Sequence, residues 1–161
     1  MSVAQAGLRF RCTRCGDCCT GLPGFVWVGP EDEQRIADHL GLQQDEFRRR
    51  YTRDVGGRLS LIENSGGDCI FLTDKRLCSI QPVKPRQCVA FPFWPRIVAS
   101  RAAWEESART CPGMGHGDFY SRAEIERLTD PQTSRSELER IMNKAPQRDA
   151  QAPGAGEGAG E

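Results

Sequence analysis

The sequence predicts an α+β fold of short helices, a minor antiparallel sheet and long loops held partly by their sulfurs. Three observations carry this. Four cysteines fall within eight residues, Cys12-Thr13-Arg14-Cys15-Gly16-Asp17-Cys18-Cys19, and four more follow singly at Cys69, Cys78, Cys88 and Cys111. Segments with helical and strand periodicity alternate, and all are short. Prolines at 82, 85, 92 and 95 exclude a central strand or a long unbroken helix from the middle of the chain.

Taken in order, Gly21-Leu22-Pro23-Gly24 is a turn signal, and Phe25-Val26-Trp27-Val28 reads as a strand by its aromatic and β-branched content. Pro30 suits the first position of a helix whose opening turn holds Glu31, Asp32 and Glu33, which complement the helix dipole. Ile36, Ala37 and Leu40 form its apolar face, and Gly41 stops it. A second helix is predicted over 45–53, with Phe47 and Tyr51 on one face. Residues 58–62 alternate as a strand. Residues 69–72 and 77–80 read as paired strands around a turn at 73–76, each arm carrying one cysteine. One helical turn fits 86–89. Residues 97–99 and 102–104 are weaker strand candidates. Ser121 to Glu124 and Ser134 to Glu137 have the spacing of capping boxes, so each predicts a helix start.

Composition narrows the classes. Of 161 residues, 22 are basic and 22 acidic, and the formal net charge is zero, so a basic nucleic-acid surface is not indicated. No stretch approaches the roughly 18 apolar residues of a membrane span. The first dozen residues lack the apolar core of a secretory signal, and the expectation is a cytoplasmic protein with reduced thiols. Residues 147–161 hold almost nothing large and apolar and predict a disordered tail after a cysteine-cluster domain over 1–146.

In a reducing compartment eight cysteines favour metal over disulfides. Cys12, Cys15 and Cys18 form C-x2-C-x2-C, a spacing that wraps one corner of a metal centre. Zinc sites also use C-x2-C pairs, so spacing alone does not choose between iron and zinc. Adjacent side chains tend to diverge, so Cys18 and Cys19 are expected to face different centres. Two four-ligand sites, or one with spare thiols, both fit the count. Arg14, Lys84 and Arg86 are candidates to neutralise the thiolate charge beside a bound cofactor. His116 is a further candidate ligand, and the rigid run Phe91-Pro92-Phe93-Trp94-Pro95 is expected to roof the site.

The cluster from Phe10 to Cys19 resembles the CxxCxxCC cysteine-cluster family, the YkgJ-type zinc- or iron-chelating domains. The likeness runs on through Phe25 to Val28, Cys69 to Leu72, Cys78 to Ile80, Pro85 with Cys88, Phe91 to Phe93, and Cys111 to Gly113. The resemblance implies a metal-binding domain with Cys12, Cys15, Cys18, Cys19, Cys69, Cys78, Cys88 and Cys111 in the family pattern. Lys84 stands where the family usually has Arg, Val89 replaces an Arg after the seventh cysteine, and Gln81 replaces a Tyr. Loss of that second Arg removes a bidentate donor.

The function expected is a cysteine-thiolate metal-binding protein, with an iron–sulfur cluster favoured in a redox or accessory electron-transfer role. The alternative is a zinc-binding structural or interaction module. A metal ion or cluster and a protein redox partner are the implied associates, without nucleic acid or membrane. An iron–sulfur oxidoreductase is one form this could take. The shortage of histidine motivates iron.

Overall fold

A computed structural model of the chain describes residues 6–21 and 24–144. The predicted tail over 147–161 and the centre of the turn at Leu22-Pro23 lie outside the described residues. The rest is a mixed α+β fold with two small antiparallel sheets and, among the described residues, seven helices.

Strand β1 (Leu8–Phe10) is followed by a single 3₁₀ turn at Asp17–Cys19, then β2 (Trp27–Val28). Helix α1 (Pro30–Leu40) begins on the predicted proline and ends at Gly41, whose φ of 68° is the left-handed stop that glycine adopts without strain. Helix α2 (Gln44–Tyr51) leads directly into β3 (Thr52–Val55), which turns into β4 (Arg58–Leu61). These strands form a sheet in the order β2-β4-β3. A long loop with a 3₁₀ turn at Gln81–Val83 leads to α3 (Arg86–Val89), α4 (Pro95–Val98) and α5 (Arg101–Ala108). Strand β5 (Asp118–Tyr120) then pairs antiparallel with β1, Leu8 opposite Tyr120, before α6 (Arg122–Thr129) and α7 (Arg135–Met142) close the chain.

Both capping predictions mark real helix starts. Ser121 and Glu124 form a complete reciprocal box, while Ser134 accepts the Glu137 amide. Other expectations are corrected. The second helix stops at Tyr51, because Thr52 to Val55 are taken into the sheet opposite Arg58 to Leu61. The strand candidate at 97–99 falls on the end of α4, with Ala99 as its cap, and that at 102–104 lies within α5. Pro95 at the first turn of α4 and the Ser100 cap of α5 outweigh the β-branched and aromatic content. The hairpin over 69–80 shrinks to turns joined by a bridge between Leu72 and Cys78.

Apolar side chains collect into two cores. One gathers Phe10, Phe93, Trp104, Tyr120, Ile125 and Leu138 around the β1–β5 pair and the later helices. The other gathers Val28, Ile36, Phe47, Leu61, Phe71 and Ile80 between α1, α2 and the three-stranded sheet. A buried ion pair spans the two, Arg135 of α7 with Asp32 of α1. On the side of the first core, the half-buried Arg86 guanidinium donates to the carbonyls of Asp130 and Thr133. No helix among the described residues is long and apolar enough to cross a membrane.

Candidate metal centre

Each cysteine segment is pinned by backbone bonds to another. The Arg11 amide donates to the Gly113 carbonyl at 3.1 Å and the Gly115 amide to Arg9 at 2.9 Å, which brings the Cys111 loop against Cys12. A side chain at Gly113 would collide with the Arg11 carbonyl. Gly16 turns the chain with φ of 80°, and the Cys19 amide closes that turn on the Gly16 carbonyl at 3.0 Å. Arg76 holds the same loop from outside, donating to the Cys15 carbonyl at 3.0 Å and pairing with Asp17. The Cys69 amide donates to the Cys19 carbonyl at 2.8 Å. Cys88 rides on α3, whose Arg86 amide donates to Asp32 Oδ2 at 3.0 Å.

The result is a cavity of about 200 Å³ whose wall includes all eight cysteines. It lies where the two cores meet. Phe10 and Cys111 come from one, and Leu61, Phe71 and Ile80 from the other. The eight thiols are unbridged, with Cys111 buried and Cys12 and Cys18 exposed at the rim. They ring a chamber rather than meeting at a point. Among the described residues no three Cys, His, Asp or Glu side chains converge as a ready single-ion ligand set.

Cys18 and Cys19 do not diverge as expected. Their sulfurs are 3.8 Å apart, because the 3₁₀ turn coils both toward the chamber. Zn–S bonds of about 2.3 Å in a tetrahedron place neighbouring sulfurs about 3.8 Å apart, so this pair has the edge of a shared tetrahedral metal.

Electrostatics divide the thiols. The Cys19 thiol lies 3.8 Å from that of Cys18. Its interaction with the neighbouring Cys18 and Cys69 thiols lowers each of them to about 7 and holds Cys19 well above an ordinary thiol. Burial pushes Cys78, Cys88 and Cys111 upward. Lys84 opposes that rise at Cys78 and Cys88 and helps to lower Cys18. Eight thiols around one small chamber cannot all ionise together unless cations share it. The lining supplies Arg14, Arg76 and Lys84.

Of the three predicted supporting cations, the fold brings Arg14 and Lys84 to the cavity wall. Arg86 lines no part of it, since its guanidinium is turned to the 130–133 loop. His116 is exposed and outside the cavity. Within the aromatic run only Phe91 reaches the wall, while Phe93 is fully buried in the first core. Sequence reasoning missed Arg76. Its pairing with Asp17 spans 59 residues, and no local pattern marks it.

A family model for CxxCxxCC, described as "Putative zinc- or iron-chelating domain", matches residues 11–112, well over half of the chain. An uncharacterized protein of Methanocaldococcus jannaschii is 34% identical over 88 residues, which cover 54% of this chain and 46% of that protein. The chain therefore spans about half the length of the curated relative it matches. No solved structure matches the chain.

Proposed function

The chain belongs to the CxxCxxCC family of zinc- or iron-chelating cysteine domains, and from that premise we propose that its cysteines hold an iron–sulfur cluster serving electron transfer. The observation that supports this most is the single chamber walled by Cys12, Cys15, Cys18, Cys19, Cys69, Cys78, Cys88 and Cys111. Its roughly 200 Å³ exceeds what one ion needs, since liquid water takes about 30 Å³ per molecule. A polynuclear centre suits such a space. When bound, the cluster would supply a one-electron couple.

The chain's own residues would do the rest. Arg14 and Lys84 offset thiolate charge, Phe10 and Phe91 exclude water, and Cys12 and Cys18 at the rim leave one edge open to a redox partner. The 3.8 Å separation of the Cys18 and Cys19 sulfurs suits two thiolates on one metal, as on each iron of a two-iron cluster. That same edge favours the second reading, a zinc–thiolate module whose metal holds the two cores together.

Anaerobic purification with metal analysis and visible spectroscopy tests the proposal. A coloured protein holding iron and acid-labile sulfide is expected. A colourless protein holding stoichiometric zinc overturns the cluster in favour of the second reading. A folded protein that takes up neither metal overturns both.

A further inference from the structure

Beside the cysteine chamber lies a larger cleft of about 710 Å³, within the range of small-molecule sites. The two share part of their walls, including Cys12, Cys18, Cys88 and Lys84. The chain as a whole has no net charge, yet six cationic side chains line this cleft against two carboxylates, Asp118 and Glu139.

Three of the six are taken up within the fold. Arg11 pairs with Asp118 at 2.8 Å and Lys144 with Glu124 at 2.7 Å. Arg135 pairs with Asp32 at 3.0 Å and Glu139 at 2.8 Å. The other three differ. Arg14 and Lys84 have no side-chain ion pair among the described residues. Arg35 approaches only Glu139, at 3.7 Å, a carboxylate that Arg135 already holds. The Arg35 guanidinium makes no hydrogen bond among the described residues, and its Nε is shut off from solvent without a partner. Its outer Nη donors, on a side chain that is 38% exposed, form a fixed fork that suits a planar or tetrahedral oxyanion. Phe91, half-buried on the same wall, offers apolar surface beside it, whereas Phe10 and Tyr120 are buried in the first core.

We propose that this cleft binds a small organic anion, a carboxylate or phosphate, whose charged group is held by Arg35 and whose body lies against Phe91. Lys84 and Arg14 attract it from the end that adjoins the cysteines. The site stands on these side chains and needs no particular metal beside them. It adds to the metal centre a ligand-binding function.

Isothermal titration at low ionic strength tests it, with phenyl phosphate and benzoate as probes and benzyl alcohol as the neutral control. Saturable one-site binding of at least one anion is expected, with none of the alcohol, and the preferred anion separates phosphate from carboxylate chemistry. Arg35→Gln should weaken binding by at least about tenfold, consistent with loss of a charge-assisted pair. Arg58→Gln, at a residue that lines neither cavity and stacks on the Trp27 ring, should leave it unchanged. Circular dichroism and metal content are read on every sample. If Arg35→Gln fails to fold, Lys84→Met decides in its place, with weakened binding expected. No saturable binding of either anion, equal binding of the alcohol, or undiminished binding in the deciding variant overturns the proposal. Anion binding by a metal-free protein keeps the cleft and removes the metal centre, while a metal-loaded protein that binds no anion does the reverse.

Discussion

Arg135 Nη1 donates to Asp32 Oδ1 at 3.0 Å, joining α7 to α1 across 103 residues with both side chains almost wholly out of solvent. The same Nη1 donates to the Lys84 carbonyl at 2.6 Å, and Asp32 Oδ2 accepts the Arg86 amide at 3.0 Å. The pair thus grips the start of the segment that carries Lys84 and Cys88 to the chamber. Arg135→Met should destabilise the protein by roughly 3–5 kcal/mol, because it leaves a buried carboxylate without its cation. Asp32→Asn should cost less, since Arg135 keeps Glu139 and the Lys84 carbonyl. Urea unfolding of both variants checks the order, and equal losses would contradict it.

Burial holds the Asp32 carboxyl above its ordinary value, although the Arg86 amide and Arg135 pull it down. A carboxyl raised in the folded state binds protons that the unfolded chain releases. Its contribution therefore falls as pH rises from the ordinary carboxylate range through the folded value. Arg135→Met removes a group that lowers Asp32, so the variant should recover part of its lost stability on acidification. Unfolding free energies at pH 7 and pH 5 measure this. A variant deficit that widens at pH 5 would reverse the assignment.

Arg86 donates to the Asp130 carbonyl at 2.7 Å and to Thr133 at 2.7 Å, and it stays clear of the chamber. Arg86→Met should cost about 2 kcal/mol through unmet carbonyls. Metal bound per folded protein should not change. A selective loss of metal from a folded variant would restore Arg86 as a site residue.

Gly16 and Gly56 both have positive φ, at 80° and 61°, but their surroundings differ. A Cβ at Gly56 meets nothing, whereas at Gly16 it would lie 2.7 Å from the Arg76 carbonyl oxygen. Gly56→Ala should cost about 1 kcal/mol from backbone strain alone. Gly16→Ala should cost more and also lower metal content, because the Cys15–Cys19 turn must shift. Paired metal analysis and thermal unfolding of the two variants separate these effects.

Cys15→Ala should lose metal and cooperative folding together, since metal bound only in the folded state supplies folding free energy, about 10–16 kcal/mol for structural zinc in small peptides. A Cys15→Ala protein that unfolds cooperatively with full metal content would remove Cys15 from the ligand set.

Local physics made much of the fold legible. The Pro30 start and Gly41 stop of α1 and the Ser121–Glu124 box of α6 each depend on residues within one or two turns. Strands β1 and β5 were not, because each is three residues long and finds its partner about 110 residues away. At α4 and α5, composition pointed to strand, while Pro95 and Ser100 were the better guides.

The sequence by itself determined the family, the eight-cysteine pattern and the α+β class, since these rest on residue identity, spacing and local propensity. Only the tertiary structure decided that all eight cysteines line one chamber between two cores, and that the Cys18 and Cys19 sulfurs approach to 3.8 Å. It also decided that Arg14 and Lys84 reach the chamber while Arg86 does not. A side chain's neighbours depend on contacts between distant segments, and Arg76 with Asp17 or Arg135 with Asp32 leave no periodic trace along the chain.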